Sequence, residues 1–282
     1  AGRNTYHYFT ESMNQGVARR LLLEEQLRGA MGRGELSICY QPLIEIPGRS
    51  MIGVEALLRW TNPLLGMVSP AEFIPIAEQT GLIVPIGEYV IEQALSQLVQ
   101  WQQVSGQPLK MAVNISPRQF RDPQLAPFIQ QALLRAEVEP AALELEITEG
   151  VLMSGHGYID KALEALSTLG VNISMDDFGT GYSSLSYLRS YPFDILKIDQ
   201  SFIRDITIDE EDRDLVNAAL AMTHGLSLKV LAEGVETEEQ LALLVDKGCD
   251  FAQGYLFSKP VSGQSIEQLL LAKDTSSAQH IH

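Results

Sequence analysis

Short β-rich runs and helical patterns alternate along most of this chain. The β-rich runs are LSICYQPLIEI (36–46), MIGVEALLRW (51–60), KMAVNIS (110–116), LELEITE (143–149), VNISMDD (171–177), ILKID (195–199), KVLAEGV (229–235) and FAQGYLF (251–257). Apolar positions at helical spacing fill most gaps, as in PIGEYVIEQALSQLVQWQQ (85–103) and RDLVNAALAMTHGL (213–226). Several of these patterns stop at Gly just before the next strand, as helix C-termini do. Eight strands alternating with helices predict a TIM-like (β/α)8 barrel. Only PGRS (47–50) separates the first two runs, too little for a parallel crossover. The first strand is therefore expected to run antiparallel to the others. An open, doubly wound sheet is the alternative architecture.

The polar residues inside these runs change the picture. Glu55 lies in the second strand, Asn114 in the third, and Glu144, Glu146 and Glu149 in the fourth. The fifth ends in Asp176 and Asp177, the sixth in Lys197 and Asp199, the seventh in Glu233 and Glu236, and the eighth carries Gln253. A carboxylate inside a barrel costs several kcal/mol unless it is paired or ligates a metal. Barrel chemistry gathers at the C-terminal ends of strands. Alternation puts Glu144 and Glu146 on one face, with Glu146 nearer the rim. It also points Asp176 inward and Asp177 away, unless the strand has already broken. Gly179 and Gly181 suggest such a break, which would let both acids face one pocket.

Composition narrows the chemistry. The 282 residues are 45% hydrophobic and 20% charged, with no apolar run long enough to cross a bilayer and no visible secretory signal. A net charge of −16 argues against a DNA- or RNA-binding face. It leaves room for an anionic substrate if divalent cations reverse the local sign. Oxygen ligands without Cys or His clusters favour Mg²⁺ or Mn²⁺. A shared carboxylate fits two ions roughly 3.5–4 Å apart, an arrangement suited to in-line displacement at phosphorus. Lys197, of inward parity, could orient the attacking water or neutralise developing charge.

Simpler readings exist for single residues. Glu55 alone could pair with Arg59, and Lys197 alone could be a structural ion-pair partner. GTGYSS (179–184) lacks the pattern of a P-loop, a dinucleotide fingerprint or a nucleophile elbow. The five histidines form no ligand spacing, and neither Cys39 nor Cys249 belongs to a metal-knuckle pattern. Cys39, in an apolar run, reads as a buried thiol.

EALLRW (55–60), NIS (114–116), ELEITE (144–149), DDFGTGYSSL (176–185), LKID (196–199), AEGVE (232–236) and QGYLFSKP (253–260) together resemble the motif set of the EAL-domain cyclic-di-GMP phosphodiesterases. The resemblance covers about residues 20–272. It implies hydrolysis of cyclic di-GMP to linear pGpG with two Mg²⁺ or Mn²⁺ ions per site. Carried across, Glu55, Asn114, Glu146 and Asp176 would hold one metal, and Asp176, Asp177 and Glu233 the other. Lys197 would hold the attacking water, and the resemblance leaves open whether Glu233 also acts as base. Gln41, Arg59, Gln253 and Pro260 match positions that contact the nucleotide. Glu149 would brace the 176–185 loop, and Glu236 and Asp199 would support the metal ligands from behind. Gly150 stands where relatives often have Ser.

The same resemblance implies a homodimer through the 176–185 loop and the following helix. GRNTYHYF (2–9) resembles the last strand of a GGDEF domain, so residues 1–19 are expected to be the tail of an upstream domain and a linker. Residues 20–272 would form the barrel, and 273–282 a disordered tail whose histidines match an expression tag. The nucleotide's location implies a cytoplasmic barrel, even if the parent protein is membrane-anchored. A receptor that binds cyclic di-GMP without cutting it is the rival function; the intact set of acids argues for the enzyme.

Overall fold

The computed structural model describes residues 11–46, 48–153, 157–179 and 185–277. The first two β-rich runs pair as their short gap demands: β1 (Leu36–Glu45) lies beside β2 (Ser50–Asn62). A short β3 (Gly66–Val68) folds back on the far end of β2, with Trp60 opposite Val68. Three residues are too few to leave a periodic signal, and β3 was not anticipated. The remaining strands are β4 (Lys110–Asn114), β5 (Leu143–Thr148), β6 (Asn172–Phe178), β7 (Ile195–Ile198), β8 (Lys229–Ala232) and β9 (Phe251–Ala252).

Parallel pairing runs from β2 through β4, β5, β6, β7 and β8 to β9. β1 is antiparallel to β9, with Ile44 opposite Ala252, and its pairing with β2 closes the ring. The fold is thus a closed eight-stranded barrel with a reversed first strand, not an open sheet. The chain divides into two compact units, residues 1–37 with 58–86, and residues 38–57 with 87–282. Apart from the first residues of β1 and the last of β2, the barrel strands belong to the second.

Helices alternate with the strands along the second unit: α3 (Ile83–Ser105, which begins in the first), α4 (Pro117–Phe120), α5 (Leu125–Ala136), α6 (Glu149–Met153), α7 (Gly157–Leu169) and α8 (Leu185–Ser190). They continue with α9 (Gln200–Arg204), α10 (Glu210–Gly225), α11 (Glu238–Asp246) and α12 (Gly263–Ser277). α12 buries Ile266 and Leu270, one turn apart, and extends into the stretch from 273 that was expected to be disordered. Residues 1–10 and 278–282, also expected to be tails, lie outside the described residues.

Alternation along the strands creates the site. Leu43, Ala112, Ile195 and Leu231 form a buried apolar cluster with Phe251 packed against it. Two residues nearer the rim on the same strands, or just past their ends, stand Gln41, Asn114, Lys197, Glu233 and Gln253. A two-residue step keeps a side chain on the same face, so an apolar floor gives way to a polar mouth. Cys39, read as a buried thiol, is half-buried instead. It neighbours Tyr40, whose ring is the buried one and meets Trp101 edge-on at 4.8 Å.

The first unit contains α1 (Glu11–Leu27) and α2 (Pro70–Thr80), linked by Arg19 donating to Glu72 at 3.0 and 3.2 Å. Its polar centre is Glu35, 8% exposed, whose carboxylate accepts from Trp60 Nε1 and Asn62 Nδ2, both at 3.0 Å, and from Arg33. Arg33, followed by the Trp60 and Asn62 bonds, overcomes burial and holds this carboxyl down at about 2. A depressed folded-state pKa gives stability that is present above the ordinary carboxylate range and lost as pH falls toward 2. Glu35→Gln is expected to lower the thermal midpoint at pH 7, with the gap to the parent protein shrinking between pH 4.5 and pH 2. A gap independent of pH, measured by circular dichroism melts, would contradict this account.

Candidate active site

Glu55 sits on β2 with both oxygens engaged. Oε1 accepts from Asn114 Nδ2 at 2.7 Å, and Oε2 accepts from Gln253 Nε2 at 2.6 Å. Gln253 Nε2 also donates to Gln41 Oε1 at 3.0 Å, and Gln41 Nε2 donates to the Ser258 carbonyl at 3.2 Å. β2, β4, β1 and the segment after β9 are therefore tied together at the barrel mouth. Arg59, four residues beyond Glu55, belongs to the first unit and donates to the Leu58 carbonyl at 2.9 Å.

On the opposite strands one ammonium meets three acids. Lys197 Nζ lies 2.8 Å from Glu146 Oε1, 2.8 Å from Glu233 Oε1 and 3.4 Å from Asp176 Oδ1. Lys197 is completely buried and Glu146 nearly so. Glu144 and Glu146 are both 1% exposed and their neighbours Leu143 and Leu145 are at 0%, so β5 is buried on both faces. Burial also raises Glu144, which occupies the layer below the rim.

The aspartate pair is where the structure departs from the expected break. β6 does not stop at Asp177; it continues through Phe178. Its register with β7 shifts between Met175 and Phe178, and Asp177 itself takes a left-handed conformation with φ 57°. A bulge turns one residue out of the alternating sequence, and Asp tolerates positive φ better than most side chains. Asp176, Asp177 and Glu233 each then offer a carboxylate oxygen, all within 4.8 Å of one another. Gly179 has its own constraint: with φ 99°, an added Cβ would lie 2.6 Å from the Phe202 ring. Gly181 lies outside the described residues.

Other expected site residues sit just beyond regular strands. Glu233 and Glu236 follow β8, and Gln253 follows β9. The ladder persists, since Glu233 N donates to the Ile198 carbonyl at 3.1 Å and Gln253 N to the Ala232 carbonyl at 2.9 Å. Asp199 follows β7 and caps α9, accepting from Ser201 N at 2.9 Å. Glu149 begins α6 rather than ending a strand. It is 4% exposed, and its Oε2 has no hydrogen-bond partner among the described residues. Pro260 is half-buried, beside Val261, whose backbone pairs with Tyr40.

A cleft of about 230 Å³ opens onto Glu55 and Glu233 and is also lined by Gln41, Glu236 and Gln253. Sequence reading missed Leu57, Gln200, Gly234, Gly254 and Tyr255 in this lining. Gly234, at φ 70°, was marked only by its glycine: an added Cβ would fall 2.5 Å from Gln200 Cβ. Glu236, expected behind the ligands, is exposed on the cleft wall.

Crowding governs the protonation of these acids. Burial, reinforced by Glu55, holds the Glu146 carboxyl well above its usual range. For Glu55 the attraction of Lys197 and hydrogen bonds from Gln253, Glu146 and Asn114 overcome burial, and its carboxyl is lowered. Burial pushes Glu233 up to about 8 despite Lys197, with Asp176 and Glu55 adding to the rise. Asp177 is raised by burial and then by Asp176. Burial opposes the Lys197 charge, but Asp176, Glu146, Glu233 and Glu55 hold its pKa well above the ordinary value. The atoms free to ligate are carboxylate oxygens, with no sulfur or imidazole among them, so the cluster fits hard divalent cations.

The sequence profile of the EAL domain family matches residues 24–260, and the chain belongs to this family. It is 44% identical over 265 residues to the bifunctional diguanylate cyclase/cyclic di-GMP phosphodiesterase MucR of Pseudomonas aeruginosa, covering 94% of this chain and 39% of that protein. It is 39% identical over 267 residues to the cyclic di-GMP phosphodiesterase PdeR of Escherichia coli K12, covering 95% and 40%. The solved MucR phosphodiesterase, in complex with c-di-GMP, matches with a TM-score of 0.83 at 44% identity, over 87% of this chain and 99% of that one. The chain thus spans about two fifths of the length of these curated relatives.

Removing one partner of a buried ion pair typically costs ~3–5 kcal/mol. Lys197→Met should accordingly lower the thermal midpoint of chelator-treated protein by roughly 6–10 °C at pH 7. Acidification, which neutralises the Glu55 carboxylate that Lys197 helps to keep ionised, should narrow that difference. An unchanged midpoint at pH 7 would show that the ammonium does not hold the acids together.

Proposed function

We propose that this chain is a metal-dependent phosphodiesterase that hydrolyses one diester of cyclic di-GMP, giving linear pGpG. The observation that carries the reading is the convergence of Asp176, Asp177 and Glu233, with oxygens within 4.8 Å, beside the buried Lys197. Family membership and the activities named for MucR and PdeR support the substrate.

The charge balance supports two divalent cations. Glu55, Glu146, Asp176, Asp177 and Glu233, when ionised, set five negative charges against the one of Lys197. The surplus of four equals the charge of two Mg²⁺ or Mn²⁺ ions. Glu55, Asn114, Glu146 and Asp176 would hold one, and Asp176, Asp177 and Glu233 the other. When bound, such ions stabilise charge on the phosphoryl oxygens and make water nucleophilic at neutral pH.

The chain's own groups do the rest. Lys197, anchored by Glu146 and Glu233, keeps a positive charge where the phosphorus gathers negative charge and orients the attacking water. Water adds across the P–O3′ bond: one proton leaves the nucleophile, and one reaches the departing O3′. Asn114 and Gln253 lock the Glu55 carboxylate in one orientation, so no rearrangement is needed when the substrate arrives. Gln41, Gln253 and Pro260, together with Arg59 by its place in the EALLRW motif, are the proposed nucleotide contacts.

The same reading carries Glu149 as a brace for the 176–185 loop, of which 180–184 lie outside the described residues. It further carries a homodimer through that loop and α8, an upstream GGDEF domain and a cytoplasmic barrel. No helix among the described residues is long and apolar enough to cross a membrane.

Incubation with cyclic di-GMP and Mg²⁺ should yield pGpG by liquid chromatography. Glu55→Ala should cut the rate by at least a hundredfold, the scale expected when groups that set up transition-state stabilisation are lost. Tight nucleotide binding with no product from the unaltered chain would instead identify a receptor.

A further inference from the structure

We propose that Tyr255 is a stacking platform for one purine base of the substrate, with Lys259 reinforcing its ring. The inference rests on the cyclic di-GMP reading above and adds a base-binding element to it. Tyr255 is 56% exposed, yet it lines the same cleft as Glu55 and Glu233. Apart from the aliphatic Leu57, that cleft otherwise presents carboxylates, amides and glycine backbone, so the phenol ring is its one flat aromatic face among the described residues. Nothing in the burial of the fold requires an aromatic there.

The backbone that carries the ring is held in place. Gly254 lies so close to the backbone of Val235 that an added Cβ would be 2.0 Å from the Val235 carbonyl oxygen. Val235 N donates to the Gln253 carbonyl at 3.0 Å, and Leu256 N returns to the Val235 carbonyl at 3.0 Å. Phe257 N and Ser258 N both donate to the Gly254 carbonyl, at 3.1 and 3.2 Å. This tight turn fixes Tyr255 two residues from Gln253, which itself grips the Glu55 carboxylate. The stacking surface therefore shares its turn with the amide that holds Glu55 in place.

Lys259 Nζ stands 5.2 Å from the centre of the Tyr255 ring, within cation–π range. The pairing orients the ring and places a positive charge beside a cleft that must accept a doubly anionic dinucleotide. Aromatic faces stack on bases with little regard to hydrogen-bonding pattern. Tyr255 would thus supply affinity and positioning, leaving discrimination of guanine to polar neighbours.

Two substrates separate this role from a structural one: cyclic di-GMP, and bis(p-nitrophenyl) phosphate, a diester without a base. Tyr255→Ala should raise KM for cyclic di-GMP about tenfold, the scale of one lost base stack, with kcat within about twofold. Tyr255→Phe should stay near the parent values, and Tyr255→Ala should hydrolyse the aryl diester at the parent rate. An unchanged KM for cyclic di-GMP, or equal losses on both substrates, would overturn the proposal. If the unaltered chain cleaves the aryl diester but not cyclic di-GMP, the substrate assignment fails first, and this inference with it.

Discussion

A buried surplus of negative charge is the constraint on which the rest of this structure depends. Glu146, Asp176 and Glu233 meet one fully buried ammonium, Asp177 converges with two of them and Glu55 adds its charge nearby, and these acids cannot all ionise cheaply without further cations. Burial first, and the neighbouring acids after it, raise the carboxyls of Glu146, Asp177 and Glu233. A cluster arranged for stability alone would match acids with bases. This one leaves its charge unbalanced in a way that hard divalent ions would correct.

The barrel makes such a cluster tolerable by confining it to one layer. Beneath the polar mouth, Leu43, Ala112, Ile195 and Leu231 pack the interior, with the buried Glu144 level with Ala112, and on those four strands the change from apolar to polar takes a single two-residue step. The hydrogen-bond chain from Ser258 through Gln41 and Gln253 to Glu55 and Asn114 then fixes side chains from separate strands against one another. Closure of the sheet by the reversed β1 brings Gln41 into this chain. The site is therefore a property of the closed ring rather than of any one motif.

Much of this was legible in the sequence because period-two alternation, short gaps and acids within apolar runs are strong local signals. The barrel, its antiparallel first strand and the inward parity of Glu144, Glu146 and Lys197 follow from them. What alternation could not reveal is where it fails. Asp177 reaches the cluster through a bulge at its own backbone while β6 continues to Phe178, whereas glycines after a broken strand were expected to provide the turn. Glu149 belongs to a helix start because strand and helix abut there without a turn residue. Tyr255 falls in FAQGYLF (251–257), which reads as a strand throughout, whereas β9 ends at Ala252 and the ring sits exposed in the turn that follows. Cys39 shows the converse error, in which an apolar run overstated burial on a strand with one partly open face.

Anomalous diffraction from crystals grown with Mn²⁺ tests the central claim most directly. Two peaks are predicted, one among Glu55, Asn114, Glu146 and Asp176, the other among Asp176, Asp177 and Glu233. A barrel mouth without bound metal, or ions held only at surface carboxylates elsewhere, would contradict the account.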